Sequence, residues 1–327
     1  MQRVTARAGA NIALIKYWGK RDEGSNAPAT PSLSLTLDQL TTTTTVTRLS
    51  GASQTIRDTF SINGETLSGK GADRLRRYLD LWRNEGLIEG PFAVSSQNSF
   101  PTGAGLASSA SGFAALATAL AAFSRKPLSK RLLSQLARRG SGSAARSIPG
   151  GIAAMPLSDD PAAREIVPAD EVPWGMVIAE VESTPKAIGS TEGMNLSRDT
   201  SPYYTAWLAT ARRDYKAMLG AVKALDFTAV GELAEANSHA MHACMVATRP
   251  ALLYWNDVTL RVLHELARWR KAGTVEAYAT IDAGPHVCLL ARREDLDRVL
   301  NLASKLPGVA RARINLPGPP ATVLEVG

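Results

Sequence analysis

The feature that most constrains the fold is the stretch PTGAGLASSASG, residues 101–112. The alternation of apolar and polar residues from 92 to 96 predicts a strand before it. The run GFAALATALAAF that follows is rich in Ala and Leu, a composition typical of a buried helix. The chain is therefore expected to enter a glycine-rich turn from a strand and to leave it through the N-terminus of a helix.

This turn has the composition of an anion-binding loop. Gly103 and Gly105 let the backbone approach a ligand closely, and Ser108 and Ser109 place hydroxyls beside the first helical turn. The helix adds unpaired N–H groups and the positive end of its dipole, which together attract phosphate. The sequence has neither a Walker GK[ST] triplet nor GxGxxG spacing here. A glycine turn that only caps a core helix is the alternative.

Composition limits the class of protein. A length of 327 residues with 45% hydrophobic residues indicates a large core and favours two domains. The net charge is +7, but no run of like charges concentrates it, so we expect a small phosphorylated ligand and no nucleic acid. Neither a membrane-spanning apolar run nor a signal-peptide core is present, and only Cys244 and Cys288 could pair. We therefore expect a cytoplasmic protein without membrane contact or a disulfide framework.

Three further segments place charged or hydroxyl side chains next to glycine. Lys16 and Lys20 in KYWGKRD follow a predicted strand, and they belong either to a site or to a solvated strand end. The stretch SGSAARSIPGG, residues 141–151, surrounds Arg146, which could clamp a carboxylate through two parallel hydrogen bonds. A plain loop is the alternative for this stretch. The polar segment 183–194, STPKAIGSTEGM, could cover a site.

The predicted strands of the first half alternate clearly. SLSLTL at residues 32–37 and the threonine-rich run at 41–47 predict two strands that pair through a turn at residues 38–39. Asn63 and Gly64 predict a second, tight hairpin.

Helical patterns organise the rest of the chain. Residues 72–86 have apolar side chains at helical spacing, and Arg74 near its start is a binding candidate, whereas the other arginines suit a solvated face. A helix over residues 128–140 is expected to end at Gly140 as a C-cap glycine. After residue 184 we expect an α+β second domain with helices at 203–225, 228–241 and 257–271, strands around 276–282 and 286–291, a short helix at 295–303 and a closing strand.

Two features of the second half could indicate chemistry. His239 and His242 lie three apart with Cys244 nearby, but a zinc site needs further ligands at suitable spacing, so we assign no metal ligand. Asp282 ends a predicted strand and is followed by Gly284 and Pro285 in a tight turn. Its side chain either belongs to a functional site or stabilises the turn itself.

Five motifs, in consistent order from residue 10 to residue 290, resemble the diphosphomevalonate decarboxylase family within the GHMP kinases. They are NIALIKYWGKRD, NSFPTGAGLASSASGFAAL, GSGSAARS, STEGM and DAGP. The resemblance implies an α+β GHMP kinase fold, with a ribosomal-protein-S5-like domain at 1–183, a ferredoxin-like domain at 184–327 and the active site in the cleft between them. It further implies a homodimer that uses ATP and Mg²⁺ to convert mevalonate 5-diphosphate into isopentenyl diphosphate, phosphate and CO₂.

The family resemblance also implies residue roles. Asp282 would face the 3-hydroxyl of the substrate, Lys16 would lie beside it, and Arg146 would hold the carboxylate. The other substrate-binding positions are Tyr17, Trp18, Gly19, Lys20, Arg74, Ser141, Gly142, Ser143, Ala144, Ala145, Ser190 and Thr191. The ATP-binding positions are Asn98, Pro101, Gly103, Gly105, Leu106, Ser108, Ser109 and Lys186.

The chain departs from the family pattern at a few positions near this expected site. His286 stands where many members have Asn, Gly189 where many have Ser, and Thr30-Pro31 where Asn-Ser is usual. The alternatives are therefore action on mevalonate 5-phosphate, a mevalonate 3-kinase, or a non-catalytic binding relative. Retention of Asp282 together with the lysines and Arg74 favours the diphosphate decarboxylase.

Overall fold

Two long antiparallel strands form the centre of the larger sheet. The computed structural model describes residues 2–21, 24–49, 57–100, 108–181 and 188–327. In it, β1 (Arg3–Ile15) pairs with β2 (Ser32–Arg48) along most of its length. The predicted turn at residues 38–39 is wrong, because β2 runs through it. Asp38 is held in the strand by Leu316, whose N–H donates to Asp38 Oδ1 at 2.8 Å and whose carbonyl accepts from the Asp38 N–H at 3.0 Å.

Shorter strands extend this sheet. Within the described residues it has eight strands in the order β12-β1-β2-β5-β3-β4, with β6 on β2 and β7 on β6. The predicted hairpin at Asn63 and Gly64 is confirmed, and both residues have positive φ angles, 52° and 85°. The remaining bounds are β3 Thr59–Ile62, β4 Glu65–Thr66, β5 Phe92–Asn98, β6 Ile152–Met155, β7 Arg164–Val167 and β12 Thr322–Val326.

Four helices belong with the larger sheet: α1 (Gly69–Asn84), α2 (Ser108–Ala121), α3 (Lys130–Gly140) and α4 (Ala144–Ser147). The apolar composition of α2 is explained by its burial against β1 and β2, as the sequence predicted. Gly140 does not act as a left-handed cap, because it is the last helical residue and Ser141 follows as the cap. A Cβ at Gly140 would lie 2.2 Å from the Phe113 ring, so close packing explains this glycine.

A second, four-stranded antiparallel sheet has the order β11-β8-β10-β9 in the described residues. Its strands are β8 Trp174–Val181, β9 Ala277–Thr280, β10 Val287–Arg292 and β11 Val309–Asn315. The helices of this half are α5 Ser190–Thr200, α6 Tyr204–Lys223, α7 Phe227–Val246, α8 Asp257–Lys271 and α9 Leu296–Ser304, with 3-10 turns at Ala169–Glu171 and Arg293–Asp295.

The pairing of β8 bears on where the two domains divide. β8 hydrogen-bonds to β10 and β11 and thus belongs to the second sheet, although it precedes the expected boundary at 183/184. We therefore propose that the division lies between β7 and β8. The closing strand β12 returns to the first sheet and pairs with β1.

One hydrophobic core joins the two sheets. Ile12 and Leu35 of the first sheet share it with Met176 of the second and with Phe227 of α7. This shared core sets the ends of β1 and β9 close together, so the cleft between the sheets is built from both halves of the chain. No helix in the described ranges combines the length and the apolar character that crossing a bilayer requires.

Candidate active site

The cleft contains a cavity of about 1000 Å³. It is bounded by the end of β1, the N-termini of α2 and α5, the segment leading into α4, and the turn after β9. The predicted site residues that line it are Lys16, Tyr17, Trp18, Lys20, Arg74, Ser108, Ser109, Ser141, Gly142, Ser143, Arg146, Ser190, Thr191 and Asp282.

Lys16 and Asp282 form an ion pair at the floor of the cavity. Lys16 Nζ donates to Asp282 Oδ1 at 2.6 Å, and the exposed fractions of the two side chains are 1% and 28%. Thr280 Oγ1 donates to the carbonyl of Ala13 at 3.0 Å, which ties the ends of β9 and β1 together. The Asp282 carboxylate bonds to Lys16, whereas the turn is closed by the backbone bond from Gly284 N–H to the Asp282 carbonyl. The Asp282 side chain thus lines the cavity and does not close the turn.

Arg146 is held by neutral oxygen acceptors from two strands. Its Nε donates to Ser34 Oγ at 3.0 Å, its Nη1 to Ser32 Oγ at 2.6 Å and its Nη2 to Asn11 Oδ1 at 3.4 Å. Asn11 in turn donates to Ser147 Oγ at 2.8 Å, beside Arg146 on α4. The guanidinium is fixed in the cavity wall at 2% exposure.

No carboxylate of the described chain lies within ion-pair distance of Arg146. Burial lowers the pKa of Arg146 to about 10, an effect that the charge of nearby Asp282 partly opposes. The side chain therefore remains cationic at neutral pH. A buried cation surrounded by neutral groups is costly unless a counter-charge arrives, so this geometry suits an anionic ligand group.

A chain of hydroxyls connects the predicted phosphate loop with the segment before α4. Ser109 Oγ lies 3.2 Å from Ser141 Oγ, which lies 3.3 Å from Ser143 Oγ. With Ser108, these side chains surround the N-terminus of α2. The predicted positions Pro101, Gly103, Gly105, Leu106 and Lys186 lie outside the described residues.

Four predicted positions do not line the described cavity. Asn98 ends β5, and its Oδ1 accepts from Thr42 Oγ1 at 2.7 Å. Ala144 and Ala145 are fully buried and directly precede Arg146 on α4. Gly19 has φ of +120°, and a Cβ there would lie 2.4 Å from the Tyr204 hydroxyl, so only glycine fits. These four residues belong to the segments that position the cavity-lining residues.

The KYWGK segment, residues 16–20, holds α5 beside the cavity through hydrogen bonds. Trp18 Nε1 donates to Ser197 Oγ at 2.9 Å, and the Trp18 carbonyl accepts from Trp207 Nε1 at 2.7 Å. Lys20 Nζ donates to Thr191 Oγ1 at 3.0 Å, at the start of α5. The helix that carries Ser190 and Thr191 is thereby placed opposite Lys16.

Tyr17 and Arg74 line the side of the cavity nearest α3. Tyr17 packs so closely on Gly142 that a Cβ at Gly142 would lie 2.3 Å from its hydroxyl. Arg74 Nη2 donates to the Gly140 carbonyl at 2.8 Å, and its Cζ lies 4.7 Å from the centre of the Phe113 ring. These contacts place a cation of α1 at the cavity, and its role in binding stays a prediction.

The residues that hold Arg146 were not predicted from the sequence. Asn11 lies within the NIALIKYWG motif, and Ser32 and Ser34 lie on one face of β2. Both faces of this part of β2 are buried. A buried polar face on an alternating strand is the signal for such a role, but it becomes visible only once the burial of both faces is known.

His242 lies behind the ion pair. It is buried, and its Nε2 lies 3.2 Å from the carbonyl of Ile281, directly before Asp282. Since a carbonyl only accepts hydrogen bonds, the proton of the neutral ring is on Nε2. Burial, reinforced by the charge of Lys16, lowers the pKa of His242 to about 3.

We expect this histidine to make stability depend on pH. Unfolding returns its pKa to about 6.5, so the unfolded state binds the extra proton and stability falls as pH drops from about 6.5 toward 3. From pH 7 to pH 5 the loss is about 2 kcal/mol for this group. Urea unfolding of wild type and His242→Gln across that range measures it: the stability difference should shift by this amount. The control is His264→Gln, at an exposed position of α8. A constant difference would contradict the prediction.

The fold and cavity were compared with known proteins. Two family models match: a diphosphomevalonate decarboxylase-like N-terminal domain over residues 8–163, and a mevalonate 5-diphosphate decarboxylase C-terminal domain over residues 176–314. A diphosphomevalonate decarboxylase from Ganoderma lucidum is 36% identical over 93% of this chain and 82% of its own length.

Solved structures match over nearly the whole chain. Mevalonate diphosphate decarboxylase from Staphylococcus aureus superimposes with a TM-score of 0.92, at 35% identity over 99% of both chains. A structure of MDDEF in complex with MVAPP, AMPPCP and magnesium has a TM-score of 0.90, at 37% identity over 99% of this chain and 100% of that one.

The two α+β halves and the cleft between them define an enzyme of the GHMP kinase fold, as the sequence predicted. Within that class, the chain belongs to the diphosphomevalonate decarboxylase family.

Proposed function

We propose that this chain uses ATP to phosphorylate the 3-hydroxyl of mevalonate 5-diphosphate and then releases phosphate and CO₂, forming isopentenyl diphosphate. The observation that carries this proposal is the pairing of two features in one cavity. Arg146 is a buried cation with no carboxylate partner among the described residues, and Asp282 is a partly exposed carboxylate fixed by Lys16. The first suits the substrate carboxylate, and the second suits the hydroxyl.

In the phosphorylation step, Asp282 orients the substrate hydroxyl and accepts its proton as the phosphoryl group arrives. The new O–P bond forms while the bond to ADP breaks. Lys16 keeps the carboxylate in place and stabilises negative charge at the reacting oxygens. Lys20 and Arg74 supply positive charge for the diphosphate of the substrate.

The described residues fit a nucleotide at the start of α2. Ser108 and Ser109 line the cavity there, and the first turn of this helix has no acidic residue to repel phosphate. The related structure with AMPPCP and magnesium supports ATP and Mg²⁺ as the reactant and its metal. Bound Mg²⁺ would neutralise charge on the transferring phosphates.

The second step makes a different demand on Arg146. Phosphate leaves from a tertiary carbon, and the electrons of the bond to the carboxylate form the new double bond as CO₂ departs. Arg146 must hold the carboxylate without withdrawing its charge too strongly. Its bonds to Ser32, Ser34 and Asn11 fix its direction, so that it holds the carboxylate in the geometry in which the C–C bond breaks.

The deciding experiment supplies the protein with MgATP and, in separate reactions, mevalonate, its 5-phosphate and its 5-diphosphate. We expect ADP and CO₂ in equal amounts with the 5-diphosphate alone. ADP without CO₂ would identify a 3-kinase, and CO₂ from the 5-phosphate would reassign the substrate. Absence of both products with every compound would favour a non-catalytic binding protein.

We also propose that the protein is a cytoplasmic homodimer. Both cysteines, Cys244 and Cys288, are buried free thiols, which suits a reducing compartment. Tyr203, Val246 and Leu253 are large exposed apolar side chains near the ends of α6, α7 and α8, and exposed apolar side chains suit subunit contact. Sedimentation velocity measures the assembly, and a monomer at micromolar concentration would contradict it.

A further inference from the structure

Helix α7 of the second domain touches the backbone at both ends of the Lys16–Asp282 pair. The contacts come from Asn237 and Ser238, which are neighbours on the helix and are exposed by 0% and 1%. Neither residue lines the described cavity. Two buried polar side chains on one helix thus face the two halves of the ion pair from behind.

Asn237 binds the peptide group of Lys16. Its Oδ1 accepts from the Lys16 N–H at 2.8 Å, and its Nδ2 donates to Asp214 Oδ2 at 3.0 Å. A carboxylate only accepts hydrogen bonds, so buried Asp214 determines which end of the amide faces Lys16. Lys16, which directly follows β1 of the first sheet, is thereby tied to α7 and α6 of the second domain.

Ser238 binds both polar groups of the residue before Asp282. Its Oγ donates to the Ile281 carbonyl at 3.1 Å and accepts from the Ile281 N–H at 2.9 Å. His242 places a second donor on the same carbonyl at 3.2 Å. The two peptide groups on either side of Ile281 are therefore held by α7.

We propose that Asn237 and Ser238 are positioning residues, which set the separation of Lys16 Nζ and Asp282 Oδ1 by holding both backbones on one rigid helix. This inference rests on the proposed function. Lys16 follows a strand of the first sheet and Asp282 follows a strand of the second, so their spacing depends on contacts between the domains. A misplacement of about 1 Å in such a pair costs a factor of about 100 in rate.

The first test is Ser238→Ala, which removes the hydroxyl that donates one hydrogen bond to Ile281 and accepts another from it. We expect kcat to fall about 100-fold, while KM for the substrate and the affinity for an ATP analogue each change less than about threefold. The matched control is Ser201→Ala. Ser201 is also a buried serine, and its Oγ donates to the Cys244 carbonyl of the same helix at 2.8 Å, away from the ion pair. This control should keep kcat within about threefold of wild type.

The second test exchanges the two partners of a single hydrogen bond. Asn237→Asp sets two carboxylates against each other at the 3.0 Å contact with Asp214, and kcat should fall as in Ser238→Ala. The exchange Asn237→Asp with Asp214→Asn restores a donor and an acceptor in place, and kcat should return to within about fivefold of wild type. Calorimetry of every variant shows whether kcat merely follows the melting temperature.

Each outcome distinguishes the two proposals. An active wild type whose Ser238→Ala variant keeps its kcat overturns the positioning role, as does an exchange variant that regains stability but not kcat. If Ser238→Ala does not fold, the exchange series decides alone. A wild-type protein that releases neither ADP nor CO₂ from any of the three substrates overturns the proposed function itself, before the variants are compared.

Discussion

Asp282→Asn is expected to lower kcat by roughly 10³- to 10⁴-fold, while affinity for ATP stays within about threefold. The amide preserves the shape of the side chain and can still accept from Lys16 Nζ, which now lies 2.6 Å from the carboxylate. It cannot accept the proton that the substrate hydroxyl releases. ATP affinity is spared because the nucleotide is expected at the N-terminus of α2, and Asp282 lies in the turn after β9.

The timing of this proton transfer follows from the acidity of an alcohol. An ordinary carboxylate has a pKa near 3.9 and water one near 15.7, so full proton transfer before phosphorylation costs about 16 kcal/mol. That is most of what enzymes typically contribute to a rate. Asp282 therefore acts during phosphoryl transfer, when the oxygen becomes more acidic as the O–P bond forms.

The control for Asp282→Asn is Asp160→Asn. Asp160 also pairs with a buried cation: Arg138 Nη2 lies 2.5 Å from its Oδ1, and the exposed fractions of the two side chains are 2% and 47%. Both substitutions remove one charge from a similar pair, but only one pair lines the cavity. Turnover of ADP and CO₂ is measured below the melting temperature of each variant. Equal activity in Asp282→Asn and wild type would remove Asp282 from its proposed role.

Local patterns predicted much of the fold. The hairpin at Asn63-Gly64 needs only two residues that tolerate positive φ, and the helix at residues 257–271 needs only its own apolar spacing and caps. The resemblance of five short motifs indicated the cleft, because those motifs lie at the ends of elements that meet there. Such features depend on residues close together in the chain.

Features that depend on contacts between distant residues could not be predicted from local patterns. β2 continues through residues 38–39 because Asp38 binds Leu316, which lies 278 residues further along the chain. The apolar sequence of β8 indicates a strand but not the sheet to which it belongs. Only its pairing with β10 and β11 assigns it to the second sheet. Periodicity within one segment carries no information about its neighbours in space.

The same limit applies to the site. Arg146 was identified from its glycine- and serine-rich surroundings, but the acceptors that fix it are separated from it by 135, 114 and 112 residues. The positions of Asn237 and Ser238 behind the ion pair have no motif at all, because their role depends on where α7 packs. Many of the cavity-lining positions were thus predictable, whereas the residues that hydrogen-bond behind them were not.

Arg146→Gln is expected to lower kcat/KM by roughly 10³-fold, the usual cost of removing a fixed charged or polar group that contacts the reacting part of a substrate. Glutamine is neutral and cannot form two parallel bonds to a carboxylate. Steady-state rates of ADP and CO₂ release measure the loss, and ATP affinity should stay within about threefold. Retention of wild-type kcat/KM would show that another group holds the substrate carboxylate.

Arg138→Gln on α3 is the matched control, and the two variants should have opposite effects. Both arginines are about equally buried, but Arg138 has a carboxylate partner in Asp160, whereas Arg146 is held by serine and asparagine. Removing Arg138 breaks this ion pair and leaves part of the buried space that the side chain fills empty, which destabilises a protein. Removing Arg146 also relieves the cost of burying a cation that has no ion-pair partner among the described residues. Arg138→Gln should therefore lower the melting temperature more than Arg146→Gln does, and it should keep kcat/KM. Arg146→Gln should lower kcat/KM and change the melting temperature less, because the folded protein maintains the Arg146 charge for its ligand.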